Sequence, residues 1–372
     1  MAWAEQLPSG RWRASYRNAE GKIRSAGTFP RESDAKRAAN KKEAEERESP
    51  SRKLEPITWG EWEPRWSNAR GVQPGTKKAD EPKLRKHLRP KWSSWNLADI
   101  TSHDVQEWVS GMVAPTDAGG QGLAPNTAIK CYMLLSNSLK AAVKADKLAA
   151  NPCTGVDLPK PGPMPERFLT DPELAAIRHA LTVDDKMLFD IFIGTGARLG
   201  EGLAIHWESI DLERKTIRIE WSWDREMRTF KPPKDSQIRD IPIGASLAKR
   251  LGEWKEQHAI GHPAPVEYRG SRKPRTGLVV GQLDGRPLDD AGFRARWQAA
   301  VRIAYVGTGK SRRHVGPARI HDLRHTYASR LVRAGVPIQE VSRLLGHKDL
   351  STTQRYAHLA DSQWDQVRKA LG

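Results

Sequence analysis

Residues 344–358 read LLGHKDLSTTQRYAH, and this stretch decides how the rest of the chain is understood. His347 closes a helix after Leu344 and Leu345, and Tyr356 stands nine residues further on. Ser351, Thr352 and Thr353 are placed to cap the helix that carries Tyr356. Taken alone, a histidine at a helix end is usually a favourable partner of the helix dipole. A lone tyrosine on an amphipathic helix is usually core. Three upstream segments change that reading. TGARLGE (195–201) carries Arg198, KDSQIRDIPI (234–243) carries Lys234, and HDLRH (321–325) carries His321 and Arg324.

This ordered set resembles the catalytic signature of tyrosine recombinases, and the chain as a whole resembles integrases of the lambda class. Phosphoryl transfer to a tyrosine needs positive charge on the non-bridging oxygens, a proton acceptor, and a donor for the leaving 5′-oxygen. A guanidinium fork matches phosphate geometry and stays protonated. The resemblance implies Arg198 and Arg324 for that role, with His321 handling a proton near the tyrosine and His347 donating to a phosphate oxygen. It makes Tyr356 the nucleophile; Tyr305 and Tyr327 lack its context. Lys234, eight residues before Pro242, is the implied donor to the leaving oxygen, and Lys231, three residues earlier across Pro232-Pro233, is the alternative. The intermediate is a 3′-phosphotyrosine, which conserves bond energy and requires no cofactor. His321 and His325 stand at i, i+4, a spacing that can hold zinc. The glutamate of HExxH is missing and Arg324 would lie beside the ion, so no metal is expected and His325 is read as packing against its helix.

Bulk properties agree with a nucleic-acid partner. In 372 residues, 62 Lys and Arg face 45 acidic side chains, for a formal charge of +17. Such an excess favours a polyanion through counterion release, although a merely soluble basic protein is the plain alternative. Cys131 and Cys153 form neither a disulfide framework nor a metal motif and read as reduced, packed thiols. The N-terminus MAWAEQLPSGRW lacks a signal-peptide pattern, and no apolar run reaches about 18 residues. A cytoplasmic protein acting on the host nucleoid is expected.

The length calls for two or three domains. Residues 1–53 read as a small sheet and a helix. Trp12, Ala14 and Tyr16 alternate with Arg11, Arg13, Ser15 and Arg17, and in the next strand Lys22 and Arg24 oppose Ile23 and Phe29. This part resembles the arm-type DNA-binding domain of lambda-class integrases, whose three-stranded sheet enters the major groove. Without that resemblance it would be a solvated hairpin. Residues 54–156 read as helical, with Trp59, Trp62 and Trp66 on one core face. A capping box is expected at Thr101 and Asp104, and a long helix after Pro125 with Ile129, Met133, Leu135, Leu139 and Val143 inside. The basic run Lys77, Lys78, Lys83, Arg85, Lys86, Arg89, Lys91 is ordinarily a solvated face, but resembles that of a core-site-binding domain. The proline-rich connector 157–167 precedes residues 168–372, which begin with a helix capped by Thr170 and contain short strands over 212–243.

The expected fold is thus α+β and multidomain: a small N-terminal three-stranded sheet plus helix, an all-α core-binding domain, and a mainly α catalytic domain with a small antiparallel sheet. The resemblance implies a phage-type integrase that exchanges strands through a Holliday junction as a homotetramer on core and arm attachment sites, integrating and excising a mobile genome. It also implies a host DNA-bending factor and an excision factor. A Xer-like chromosome-dimer resolvase, a type IB topoisomerase and a catalytically dead DNA-binding protein are the alternatives. The tail after Tyr356, with Trp364, Val367 and Leu371 at helical spacing, docks either on its own protomer or on a neighbour.

Overall fold

The computed structural model describes residues 2–17, 21–48, 56–162, 166–234, 237–258, 260–270, 272–360 and 371. Most of the C-terminal tail, Trp364 and Val367 included, lies outside them. The chain divides into two compact units, Met1–Gly162 and Pro163–Gly372.

In the first unit, β1 (Trp3–Gln6), β2 (Trp12–Arg17) and β3 (Ile23–Phe29) form an antiparallel sheet in that order, followed by α1 (Glu32–Glu48). The sheet and helix share a small core of Ala14, Ala35 and Ala39, with Trp12 and Phe29 against it. Arg11, Arg13, Arg17, Lys22 and Arg24 are all exposed. One expectation is corrected. The register slips between Ala14 and Ser15, with Gly27 at φ +116° opposite Ala14 and Ser25 opposite Ser15, so Ala26 is an extra residue. Such a bulge shifts the following side chains to the other face. Ile23 therefore pairs with Arg17 and is 58% exposed instead of joining Phe29 inside.

The remainder of this unit is helical: α2 (Trp59–Ala69), α3 (Pro74–Lys83), a π-helical turn over Leu84–Leu88, α4 (Arg89–Trp92), α5 (Ser102–Val113) and α6 (Pro125–Lys144). Reciprocal capping boxes start α2 at Thr58 and Glu61 and α5 at Thr101 and Asp104. Trp59, Trp62 and Trp66 are buried, and the first two indoles donate to Ser138 of α6 at 2.9 Å. They are core. The buried face of α6 runs through Ala128, Cys131, Leu134, Leu135, Leu139 and Ala142. Of the expected stripe, Leu135 and Leu139 are fully buried and Ile129 and Val143 half-buried, whereas Met133 is 53% exposed and Leu134 takes the inward place beside it. Both cysteines are buried and free, and burial pushes their thiols up to about 11 and about 12.

The second unit opens with α7 (Asp171–Ala180), whose capping box at Thr170 and Glu173 matches the expected start, then α8 (Val183–Thr195) and the short α9 (Leu199–Gly202). Next come β4 (Ile210–Asp211), β5 (Thr216–Ile219), β6 (Ser222–Asp224), β7 (Thr229–Lys231) and β8 (Arg239–Pro242). Strands β4, β5 and β8 make an antiparallel sheet in that order, with Ile217 opposite Ile241, and β6 and β7 form a separate hairpin. Helices α10 (Ala245–Gln257) and α11 (Asp290–Arg302), the two-residue strands β9 (Tyr305–Val306) and β10 (Arg313–His314), and α12 (Ile320–Arg333), α13 (Ile338–Leu345) and α14 (Ser351–Gln354) complete it. One apolar core links Phe192 of α8, Ile217 and Ile241 of the sheet, Phe293 and Trp297 of α11, Leu323 of α12 and Leu345 of α13. Together these elements fix the ends of α8, α12 and α13 against one another. No helix among the described residues is long and apolar enough to cross a membrane.

Candidate active site

Three arginines from three elements converge on the C-terminus of α13. Arg239 Nε donates to the Leu344 carbonyl at 2.7 Å, Arg324 Nη2 to Leu345 at 2.5 Å, and Arg198 Nη2 to Gly346 at 3.0 Å. The last carbonyls of a helix lack intrahelical partners and carry the negative end of its dipole, so they accept guanidinium groups readily. Gly346 ends the helix at φ +64°, and a Cβ there would lie 2.9 Å from Arg239 Nη1. Only glycine fits. Gly196 plays the matching part at the end of α8. It is also at φ +64°, its carbonyl accepts Arg324 Nη1 at 2.6 Å, and a Cβ would meet Tyr327 at 2.4 Å.

Among the described residues, a single carboxylate answers these cations. Glu201, 1% exposed, accepts Arg239 Nη2 at 2.7 Å and Arg198 Nη1 at 2.8 Å, and also caps the Arg198 backbone N–H at 2.9 Å. Burial alone would raise its pKa, but the charge and hydrogen bonds of Arg239, then of Arg198, hold it down at about 2. Arg324, 2% exposed, is pushed down to about 9 by burial and by Arg198, and stays protonated at neutral pH. Three guanidinium groups against one carboxylate leave two uncompensated positive charges (3 − 1). That excess makes an anion site.

Tyr356 lies just beyond α14 and is 2% exposed, with its ring edge-on to Phe168 at 6.3 Å. Its hydroxyl is 2.6 Å from Nδ1 of His325, the residue after Arg324 on α12. Burial raises the phenol pKa against the opposing charges of Arg324 and Arg355. Burial and the neighbouring His321 push His325 down to about 4, so its imidazole is neutral. His321 stacks edge-on to His325 at 4.7 Å and also lines an open cavity with Leu199, Arg294, Trp297 and Arg319. Desolvation of the ring and the charge of Arg324 lower its pKa. His325, rather than His321, is therefore the imidazole in contact with the phenol. The expectation that His325 merely packs against its helix misses this bond.

His347 is half-buried, and its Nδ1 is 2.7 Å from Oγ1 of the fully buried Thr353. Burial and the charges of Arg324, Arg198 and Arg239 drive its pKa down to about 3, so a neutral ring faces the cations. The expected cap of α14 is corrected as well. The N-cap is Leu350, with no side-chain cap bond, and Thr353 orients His347 instead. Lys234 is exposed on the connection between β7 and β8, whereas Lys231, at the end of β7, is paired with Asp224 at 2.6 Å.

Among the basic residues of the first unit, Lys78, Arg85 and Lys86 are exposed and Lys77 and Lys83 are half-buried. Lys77 and Lys83 donate to the Asn68 and Ala79 carbonyls. Arg89 belongs to the framework: it bridges the buried Glu63 at 3.0 Å and Glu81 at 2.5 Å. Arg11 and Arg17 donate to backbone carbonyls of their own sheet, those of Thr28 and Gly21. The described residues contain no cluster of His, Cys, Asp and Glu able to hold a metal.

Sequence reasoning missed Glu201, Arg239, His325 and Thr353. Arg239 had a signal: β8 alternates buried and exposed, so Arg239 shares the inward face with Ile241. A charged residue on an apolar strand face demands a buried partner.

The phage integrase family model matches residues 167–363. A "tyrosine recombinase XerC-like" protein of Caldanaerobacter subterraneus subsp. tengcongensis is 32% identical over 259 residues, a match spanning 63% of this chain and 63% of that one. A Mycobacterium tuberculosis protein named "Putative prophage phiRv2 integrase" is 26% identical, over 98% of this chain and 93% of its own length. Among solved structures, the Tn1549 transposon integrase in complex with a circular intermediate DNA superposes with TM-score 0.64 at 18% identity, covering 85% of this chain and 98% of that one. A lambda integrase tetramer bound to a Holliday junction gives 0.60 at 18% identity, covering 96% and 94%. The mixed α+β architecture with its N-terminal three-stranded sheet is thus a known one, and with the family model covering more than half of its length the chain belongs to the phage integrase family of tyrosine recombinases.

Proposed function

We propose that this chain is a site-specific DNA recombinase that cuts and rejoins strands through a 3′-phosphotyrosyl bond to Tyr356. The observation that carries the reading is the doubly positive arginine cluster under the end of α13, formed by Arg198, Arg239 and Arg324. A scissile phosphate placed on Arg198 and Arg324 supplies the missing negative charge. The Tyr356 oxygen attacks phosphorus, the bond to the 5′-oxygen breaks, and the phenol loses its proton while the leaving oxygen gains one. Arg198 and Arg324 hold the non-bridging oxygens, and His347, its Nδ1 engaged by Thr353, has Nε2 available to donate to one of them. His321 at the rim handles a proton, and Lys234 on its exposed connection protonates the leaving oxygen. The reverse attack by a 5′-hydroxyl rejoins the strands without a cofactor.

In this reading residues 1–53 bind arm sites through Arg11, Arg13, Arg17, Lys22 and Arg24. Residues 54–156 grip the core site through Lys77, Lys78, Lys83, Arg85 and Lys86, and 157–167 link them to the catalytic domain 168–372. Four copies act on core and arm sites in the bacterial cytoplasm through a Holliday junction, with a host bending factor and an excision factor. A Xer-like resolvase shares the chemistry. The near full-length match to a prophage integrase favours integration and excision of a mobile genome.

The test is a nicked duplex carrying the element's own core site. Wild-type protein forms a covalent adduct that survives denaturant, and Tyr356→Phe binds the duplex but forms none. An adduct with the phenylalanine variant sinks the assignment.

A further inference from the structure

The 2.6 Å contact between His325 and Tyr356 is not explained by the chemistry above. A nucleophile must present its oxygen to phosphorus, yet Tyr356 is 2% exposed and its oxygen is spent on a neighbouring imidazole. Everything around the pair keeps it closed. Phe168 covers one side of the phenol ring, His321 stands edge-on to His325, and Arg355, adjacent to the tyrosine, is tied to Glu166 at 3.3 Å. The tie fixes residues 355–356 to the segment that enters α7. Resting on the reading of Tyr356 as nucleophile, we propose that His325 is a positioning residue that holds the phenol in a withdrawn state in the DNA-free protein. Its neutral Nδ1 accepts the phenol O–H, and presenting Tyr356 to a phosphate requires breaking that bond.

Holding, not deprotonation, is what this geometry supports. The imidazole sits at about 4 and the phenol above its ordinary value of 10, so at least six pH units separate them. Transfer of the proton within the pair is therefore strongly disfavoured. A short hydrogen bond in a desolvated pocket has no such penalty and is strengthened by the low dielectric. His325 also follows Arg324 directly, so a phosphate that engages Arg324 and displaces α12 or the 344–346 carbonyls acts on the residue next to the latch.

The experiment uses the full chain without DNA and N-acetylimidazole, which O-acetylates accessible tyrosines, with each site read by peptide mass spectrometry. Tyr305, 45% exposed, and Tyr327, 7% exposed, are internal references for the open and closed extremes. Wild-type Tyr356 is expected to react as slowly as Tyr327. His325→Ala should raise its rate roughly tenfold or more, the equivalent of one lost hydrogen bond. His325→Asn, whose amide oxygen falls near the position of Nδ1, should restore protection. If the alanine variant does not fold, His325→Gln, with its oxygen nearer Nε2, takes its place. Unchanged acetylation in a folded alanine or glutamine variant overturns the proposal, as does an asparagine variant as reactive as the alanine one. On the nicked core-site duplex, His325→Ala should form adduct at least as fast as wild type. A loss of orders of magnitude there would make the imidazole a base and the latch wrong. An adduct on Tyr356→Phe would instead defeat the nucleophile assignment, while the acetylation result on the free protein would stand.

Discussion

Arg239 and Glu201 form an enclosed ion pair, Nη2 to Oε2 at 2.7 Å, with side chains 4% and 1% exposed. The pair joins β8 to α9, and through Arg239 Nε it also reaches the end of α13, which Arg198 at the start of α9 reaches as well. Removing Arg239 leaves the buried Glu201 with Arg198 alone and strips the Leu344 carbonyl of its donor. Arg239→Ala should therefore cost about 3–5 kcal/mol of unfolding free energy, read from urea denaturation. Adding Glu201→Gln should cost less than the sum of the two single changes, since either change alone already breaks the 2.7 Å pair. Full additivity would show that the pair does not act as a unit.

Protonation gives a second handle on the same region. His347 is held at about 3 and His325 at about 4, both below the ordinary histidine value of 6.5. Their unfolded forms take up protons first as pH falls, so stability is complete above 6.5 and declines below it. The slope approaches about 1.4 kcal/mol per pH unit for each histidine. Glu201 adds loss between its ordinary 4.5 and about 2, again because the folded value is the lower one. Thermal denaturation should thus show a midpoint falling steadily from pH 6.5 downward. A midpoint flat to pH 4.5 would mean that these rings are not buried as described.

The two uncompensated charges predict anion binding without any DNA. Sulfate, with tetrahedral oxygens like those of phosphate, should stabilise the folded chain more than chloride at matched ionic strength, by about 1.4 kcal/mol at ten times its dissociation constant. Arg198→Ala should remove most of that difference, because the Arg198 side chain is the most accessible of the three, at 32% exposure against 4% for Arg239. Equal stabilisation by the two salts in wild-type protein would count against a phosphate site.

How much of this was legible in the sequence depends on what each residue binds. Arg198, Arg324, His347 and Tyr356 stand in recognisable local contexts, and the structure brings the two guanidinium groups and the His347 ring to one helix end, with the phenol on the residue next to Arg324. Trp59, Trp62 and Trp66 were readable as core because a helical face has a period. Glu201 and Arg239 were not, because their pairing spans 38 positions and depends on β8 lying under α13. His325 and Tyr356, 31 apart, meet only once α12 and the chain after α14 are packed. Ile23 was misplaced by Ala26, a bulge residue that no alternation rule foresees.

Lys234 and Lys231 can be separated by leaving-group chemistry. A lysine that protonates the departing 5′-oxygen becomes dispensable when that oxygen is replaced by sulfur, since a thiolate leaves without a proton. Lys234 is exposed and close in sequence to β8, which carries Arg239 into the arginine cluster. Lys231 is committed to Asp224, whose carboxylate is held below its ordinary range by that partner despite burial. Lys234→Ala should slow cleavage of an ordinary core-site duplex by roughly 100-fold or more, within the usual range for a general acid. With a 5′-bridging phosphorothiolate at the scissile position, the same variant should cleave at close to the wild-type rate. Lys231→Ala should show a smaller defect that sulfur does not correct, because it loosens the β6–β7 hairpin and leaves proton transfer intact. Rescue of Lys231→Ala in place of Lys234→Ala would exchange the two assignments.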